Sequence, residues 1–369
     1  MTKVIIKGLT KQFGKLTAVQ NLDLDVKDKE FVSLLGPSGC GKTTTLNCLS
    51  GLETPTKGDI FFDDQRINDI PSKDRGIGLV FQSYAIFTHM TTFDNLAFGL
   101  KIRGSPQLEI KREVERMAEF LDIKEVLHEK AGKLSLTNMQ KTAIGRTLII
   151  RPKVLLLDEP LSNLDAESRN VMRTELKRLQ KEVEQTTIFV THDQLEALTL
   201  SDRIAVMSAG RLQQYDTPET VYNHPENKFV ANFIGSPSMN FIDCSLKLSD
   251  ERAYLVNERF TLDLTSGRDR LTEFANSPEL VLGIRPEHLN VTSLSDLPTQ
   301  PKGSHLSGSV FMTEPLGYEN IVSVQVDGLM LKATVPATSS FEVNEKVSVT
   351  FDEDHAHVFS KNGEEPAII

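Results

Sequence analysis

The chain holds three cysteines, Cys40, Cys48 and Cys244, in 369 residues. So few, so widely spaced, exclude a disulfide framework and fit a reducing compartment. No stretch approaches the ~18 consecutive apolar residues of a membrane-spanning helix. Residues 1–7 lack the long apolar core of a signal peptide, so the protein is expected to stay in the cytoplasm. There is no excess of positive charge. Lys and Arg number 41 against 51 Asp and Glu, a formal net charge of -10. That balance argues against a nucleic-acid partner, short of a local basic patch. There is no internal repeat and no low-complexity tract. What is present is ordinary for a soluble globular protein: 25% charged and 39% hydrophobic residues, in a length that allows two domains.

The most specific stretch is Gly36-Pro37-Ser38-Gly39-Cys40-Gly41-Lys42-Thr43-Thr44, with the spacing G-x-x-x-x-G-K-[ST]. An apolar run over 31–35 precedes it and a helix-like segment over 43–49 follows. Gly36, Gly39 and Gly41 let the backbone bend until several N–H groups converge on one phosphate. The helix start aims its positive dipole end at the same point. Lys42 adds a full charge for the outer phosphates, and the Thr43 hydroxyl can ligate Mg²⁺. Ser38, Cys40 and Thr44 complete the candidate nucleotide-binding loop. A thiol reagent at Cys40 would obstruct nucleotide, although a small loop residue is the plainer role. A chance glycine-rich turn is the bland alternative for the whole stretch, and the flanking strand and helix count against it.

Taken in order, residues 3–9 and 19–35 read as strands, with Lys11-Gln12-Phe13-Gly14 as a polar loop between them. Phe13 suits stacking on an adenine face, against a plain core contact. Residues 58–62 and 76–80 read as strands. The second ends in Phe81-Gln82-Ser83, where Gln82 is placed to touch a metal-bound water and a neighbouring surface. Residues 91–150 change to charged helical segments over 109–121 and 140–150, a helical insertion in an α/β domain. Residues 154–157 form a four-residue apolar strand ending in Asp158-Glu159. Successive side chains of a strand point opposite ways, so the two acids have different tasks. Asp158 would serve Mg²⁺ through water, and Glu159 would orient and deprotonate an attacking water. A solvated acidic turn is the alternative. Asp165 is placed to cap a helix over 167–183. The strand over 187–191 ends in His192. A lone histidine is more often structural, but this one closes a third apolar strand of the same expected sheet. Residues 204–207 and 211–215 read as a closing strand pair, and Thr217-Pro218-Glu219 as a helix start.

Beyond Gly235-Ser236-Pro237 short alternating strands recur at 254–256, 260–262, 321–326, 330–335 and 347–351, which reads as an all-β module of barrel or OB type. Residues 293–308 are expected to be a loop. His355-Ala356-His357 has alternate-residue spacing, but no acid or cysteine cluster joins it in sequence and a solvated strand face suffices.

The order of aromatic loop, phosphate loop, glutamine, signature region, twin acids, Ser162-Asn163-Leu164-Asp165 and terminal histidine resembles the ATP-binding subunits of ABC transporters. The likeness is greatest to the ATPases of carbohydrate importers of the maltose and glycerol-3-phosphate type. It covers nearly the whole chain, including Phe81-Gln82-Ser83-Tyr84-Ala85, Gly235-Ser236-Pro237-Ser238-Met239-Asn240-Phe241 and Gly283-Ile284-Arg285-Pro286-Glu287. The resemblance implies a P-loop NTPase fold, an α/β ABC ATPase core over 1–235 with a helical subdomain at about 84–150, then an OB-like β domain over 236–369. It implies ATP and Mg²⁺ (held through Thr43, Gln82 and Asp158), Glu159 as general base, His192 on the γ-phosphate, Phe13 on adenine and Asp165 at a dimer interface. It implies two integral membrane permease subunits, a second ATP-binding subunit, an extracytoplasmic solute-binding protein and a peripheral place on the cytoplasmic face of the membrane.

One departure stands out. The family signature is Leu-Ser-Gly-Gly-Gln, and this chain reads Leu134-Ser135-Leu136-Thr137-Asn138. In the family those glycines let the partner's nucleotide approach the backbone closely. Either the loop still closes with Leu136 turned aside, or Leu136 and Thr137 crowd it. Crowding, with Lys42, Glu159 and His192 retained, implies a heterodimer with a paralogue carrying an intact signature; a homodimer is the alternative. Two other functional classes remain open: a regulatory subunit that binds ATP with little turnover, and a soluble ABC ATPase acting on nucleic acid or ribosomes. The solute is not written in these residues.

Overall fold

The computed structural model describes residues 2–249, 251–274, 279–296, 304–361 and 367. The chain divides into two compact units, 1–221 and 222–369.

In the first unit, β1 (Val4–Phe13) and β2 (Leu16–Val26) form a hairpin. The strand β3 (Phe31–Leu35) leads into α1 (Lys42–Ser50), followed by β4 (Lys57–Phe62), β5 (Gln65–Arg66) and β6 (Ile77–Val80). Three helices, α2 (Thr92–Ile102), α3 (Gln107–Phe120) and α4 (Leu136–Leu148), intervene before β7 (Val154–Asp158). Then come α5 (Ala166–Val183), β8 (Thr186–Thr191), α6 (Gln194–Leu200), β9 (Arg203–Ser208) and β10 (Arg211–Asp216). A four-stranded antiparallel sheet has the order β2-β1-β4-β5. A six-stranded sheet has the order β10-β9-β3-β8-β7-β6, parallel throughout except for β10. Every residue of β3 and β8, and all of β7 except Asp158, is buried, as expected of strands covered on both faces. On one side lie Leu46 and Leu49 of α1; on the other lie Leu176 and Leu179 of α5 and Ile144 and Leu148 of α4.

Several boundaries differ from the sequence reading. The polar loop expected at 11–14 is strand up to Phe13, and the hairpin turns at Gly14, whose φ is 58°. The strand expected over 19–35 is two strands, broken at Lys29 with φ 63°. The helix expected from residue 140 begins one turn earlier, at Leu136, because Ser135 caps it: its Oγ accepts the Asn138 N–H at 3.3 Å. The helices α2 and α6 carried no sequence expectation. α2 is capped by Thr91, whose hydroxyl oxygen accepts the Asp94 N–H at 3.0 Å.

Across the division run α7 (Pro218–Asn223) and then, within the second unit, α8 (Lys228–Phe233). The β module holds β11 (Asn240–Leu248), β12 (Ala253–Val256), β13 (Thr261–Asp263), α9 (Arg268–Thr272), β14 (Glu279–Ile284), β15 (Asn290–Ser293), β16 (Ser304–Pro315), β17 (Glu319–Val326), β18 (Leu329–Pro336), β19 (Lys346–Phe351) and β20 (His357–Ser360). These make two five-stranded antiparallel sheets, β13-β12-β11-β14-β20 and β15-β19-β16-β17-β18. They share one apolar core that includes Leu255, Leu282, Val324 and Val349. Of the loop expected at 293–308, residues 304–308 belong to β16, paired with β19, and 297–303 lie outside the described residues. The division at 221/222 falls ahead of the 235/236 boundary read from composition. Arg285, a fully buried residue of the β module, donates to the carbonyls of Tyr222 and Ile234 within the second unit. A buried guanidinium needs such acceptors, and they tie residues 222–234 to the module.

Candidate functional site

The site is built where β3, β6, β7 and β8 end side by side. The register sets Val80 beside Leu157, Asp158 beside Val190 and Leu35 beside Thr191. The residues after each strand therefore emerge at one rim, where parallel α/β sheets bind ligands.

The loop from Gly36 to Gly41 fills the gap between β3 and α1. Two of its glycines are required by contact. A Cβ at Gly36 would stand 2.2 Å from the Met207 carbonyl oxygen. Gly41 has φ +103°, and a Cβ there would stand 2.5 Å from the Ala18 carbonyl oxygen. Lys42 is buried, its ammonium donating to the carbonyls of Gly36 (2.7 Å) and Pro37 (3.0 Å). The cation is thus held inside the loop at the start of α1, with no acidic residue in the first turn of that helix. A concentrated positive site lined with backbone suits an anionic phosphate chain. Burial pushes the Cys40 thiol up, and the neighbouring Lys42 only partly offsets it, so Cys40 is a poor nucleophile.

Thr43 donates its hydroxyl to Asp158 Oδ1 at 3.1 Å. Burial raises the Asp158 carboxyl above its ordinary range; the Thr43 hydrogen bond opposes this, the adjacent Glu159 adds to it and Lys42 opposes it. Two hard oxygens in contact, one of them an acid at the edge of a phosphate loop, are the donor type that Mg²⁺ takes.

Glu159 leaves the sheet abruptly. Its φ is 43°, left-handed for a residue with a Cβ, while its N–H still donates to the Val190 carbonyl at 3.0 Å. Its Oε2 lies 3.1 Å from His192 Nδ1 and accepts from Gln82 Nε2 at 3.4 Å. The Gln82 amide also donates to Ser162 Oγ at 3.2 Å, and Ser162 donates to the Glu159 carbonyl at 2.9 Å. Asn163 closes the group by donating to the Gln82 carbonyl at 2.8 Å. Ser162 and Asn163 entered the sequence reading only as part of a motif carrying the family likeness, with no site role of their own. The signal available was their place directly after the twin acids, on the same rim.

The structure therefore gathers Lys42, Thr43, Gln82, Asp158, Glu159 and His192 around one loop. Phe13 ends β1 and is 45% exposed, so it is not a core residue; the Lys11 ammonium stands 4.7 Å over one ring face. Asp165 caps α5, its Oδ1 accepting the Ser168 N–H at 3.0 Å, and hydrogen bonds from Ser168 hold its carboxyl below the ordinary range. Ser135 to Asn138 belong to a separate element, the cap and first turn of α4. Leu136 is 49% exposed there in helical backbone that any L-residue adopts, so it incurs no backbone strain and presents its side chain outward. Among the described residues, His355 and His357 included, no group of three or more His, Cys, Asp or Glu is arranged to hold an ion.

Comparisons with known proteins place the chain in a family. The ABC transporter family model matches residues 19–162, the MalK OB fold domain residues 235–289 and the TOBE domain residues 282–359. The trehalose/maltose import ATP-binding protein MalK of Thermococcus litoralis is 44% identical, with 98% of each chain covered. The multiple sugar-binding transport ATP-binding protein MsmK of Streptococcus mutans is 42% identical over 94% of each. The osmoprotective compounds uptake ATP-binding protein GgtA of Synechocystis is 42% identical over 99% of each. Among solved structures, the ATP-binding cassette MJ0796, in a post-hydrolysis dimer bound to ADP and Pi, superposes with a TM-score of 0.53 at 30% identity, covering 58% of this chain and 98% of that one.

Proposed function

This chain belongs to the family of ABC transporter ATP-binding subunits of the sugar-importer type, and is an ATPase; on that premise we propose that it energises uptake of a sugar, polyol or related solute through a permease pair. One observation supports the reading most: the Glu159 carboxylate is held between Gln82 and His192, beside the Thr43–Asp158 pair and the Lys42 loop. ATP bound in the loop supplies the γ-phosphoryl bond; Thr43, and Asp158 through water, would hold Mg²⁺, which would supply neutralisation of phosphate charge. Glu159 takes a proton from the attacking water, whose oxygen bonds phosphorus as the bond to ADP breaks. His192 orients Glu159 and faces the γ-phosphate. Gln82, tied to Ser162 and Asn163, links this acid to the surface that meets the permease. Phe13 stacks on adenine.

The partners of this reading are two integral membrane permease subunits, a solute-binding protein and a second ATP-binding subunit, with the chain peripheral on the cytoplasmic face. Among the described residues no helix is long and apolar enough to cross a membrane. The outward Leu136 supports a heterodimer. This chain's loop would meet an intact signature on a paralogue, and the paralogue's loop would meet Ser135 to Asn138 and turn over slowly.

The test is Mg-ATP hydrolysis by the purified assembly. Glu159→Gln in this chain should abolish turnover while Mg-ATP is still retained, and the matching change in the second subunit should be mild. Equal damage from both removes the asymmetry. Turnover that survives Lys42→Ala in this chain removes the ATPase reading of this site. Recovery of RNA or DNA in place of integral membrane proteins removes the importer reading.

A further inference from the structure

Arg169, in the first turn of α5, touches neither the phosphate loop nor Glu159, yet it lies between the two segments that flank them. Its Nη2 donates to the Leu164 carbonyl at 3.0 Å, the last carbonyl before the Asp165 cap. Its Nη1 stands 3.8 Å from Asp193 Oδ2 and its Nε 3.9 Å from Glu196 Oε1. The Nε is buried and makes no hydrogen bond.

The two acids fix the backbone around His192. Glu196 is 3% exposed on α6, and its Oε2 accepts the Thr191 hydroxyl at 2.5 Å. The same Thr191 oxygen accepts the Asp193 N–H at 3.0 Å. Asp193 Oδ1 caps α6 through the N–H groups of Leu195 (2.8 Å) and Glu196 (3.2 Å). Both neighbours of His192 are thereby pinned, one through its hydroxyl and the other through its N–H and carboxylate. A carboxylate as buried as Glu196 needs a cation close by. Burial raises its carboxyl, the Thr191 hydrogen bond opposes that, Asp193 adds to it, and Arg169 and His192 oppose it. Arg169 joins this pinned turn to the 162–165 turn through the Leu164 carbonyl.

We propose that Arg169 is a positioning residue that couples the Ser162–Asp165 turn to His192, so that His192 is held against Glu159 only while that turn is in place. The inference rests on the ATPase reading of the site. It differs from a plain stabilising ion pair in its consequence. Loss of the guanidinium displaces His192 and slows the chemical step, while the phosphate loop, built on other elements, keeps its grip on nucleotide.

The experiment uses the complete assembly with Arg169→Met, Arg169→Lys, Glu196→Gln and the Arg169→Met/Glu196→Gln double variant. Arg169→Met should lower kcat at least about tenfold with KM for Mg-ATP changed by less than about twofold, and Arg169→Lys should recover part of the loss. The double variant should be no slower than the slower single variant, because both act through one link. A readout without nucleotide is the imidazole NMR signal of His192 in ¹⁵N-histidine-labelled chain, assigned by its loss in His192→Gln. That signal should move in Arg169→Met and stay near its wild-type position in Arg169→Lys. Unchanged kcat in Arg169→Met, additive losses in the double variant, a loss of Mg-ATP affinity parallel to kcat, or an unmoved His192 signal would each overturn the proposal. A wild-type assembly without hydrolysis would instead overturn the ATPase reading on which it rests.

Discussion

His192 Nδ1 lies 3.1 Å from Glu159 Oε2, although the two residues are 33 positions apart in the chain. The contact exists because β7 and β8 run parallel and in register, so that Asp158 pairs with Val190, and Glu159 and His192, one and two residues further on, emerge at the same rim. The His192→Ala variant should therefore lose hydrolysis by about 10²-fold or more, the scale of a removed acid–base or charge-stabilising partner. Its Mg-ATP affinity should stay close to wild type, because Lys42 and Thr43 are held by other contacts. Steady-state turnover and equilibrium nucleotide binding, measured on the same assembly, check the two halves of this expectation.

Glu159 occupies left-handed backbone with φ 43°, a conformation that costs an L-residue about 1 kcal/mol. Glu159→Gly should thus be more stable than Glu159→Ala by about 1 kcal/mol, although under the proposed mechanism neither should hydrolyse ATP. Chemical denaturation of the two variants under identical conditions measures the difference. Equal stabilities would mean that the strained turn relaxes once the carboxylate is gone.

Leu136 and Thr137 start α4, with Leu136 about half exposed. Under the heterodimer reading, Leu136→Gly with Thr137→Gly should speed the slow site. The effect is isolated by placing Glu159→Gln in the same chain, so that only the partner's phosphate loop turns over. An increase of about tenfold or more is expected, at a cost of about 1 kcal/mol in helix stability per glycine at most. Unchanged turnover would show that these side chains do not obstruct the partner's nucleotide.

His357 gives the second unit its own pH dependence. Burial pushes its imidazole down to about 4 from 6.5, helped by the charges of Arg285, His224, His288 and His355. His288, stacked on His355 with ring centroids 3.9 Å apart, is also pushed down, first by burial. A folded value below the unfolded one means that the unfolded chain binds protons first. The stabilisation by neutral His357 is complete above pH 6.5 and is lost as the pH falls towards 4, by up to about 3 kcal/mol. Calorimetry of the full chain at pH 7 and pH 5 should show a lower-melting second unit at pH 5, and His357→Gln should flatten that dependence. An identical pH response in the variant would assign the effect to other groups.

Much of the site was legible in advance because its parts are local devices. A phosphate loop needs its glycines, lysine and threonine within eight consecutive positions, between one strand and one helix, and the spacing alone implies that backbone. The twin acids, the Asp165 cap and the two-class division of strands were readable for the same reason. The misread boundaries have local causes as well: the break at Lys29 is a single left-handed residue without glycine, and the early start of α4 depends on one serine cap. Arg285 was visible only as part of a family likeness. Its attachment of residues 222–234 to the β module depends on carbonyls some 50 to 60 positions away.

The sequence by itself determined which groups carry charge, which backbone bends and in what order the chemistry is strung along the chain, because those properties belong to each residue and its immediate neighbours. The tertiary structure decided that Gln82, Glu159 and His192 share one carboxylate oxygen, that Phe13 stands outside the core, and that Arg169 bridges Leu164 to the acids beside His192. Those relationships come from the register of parallel strands and from the need to compensate a buried carboxylate, and both are settled by what the folded chain brings into contact.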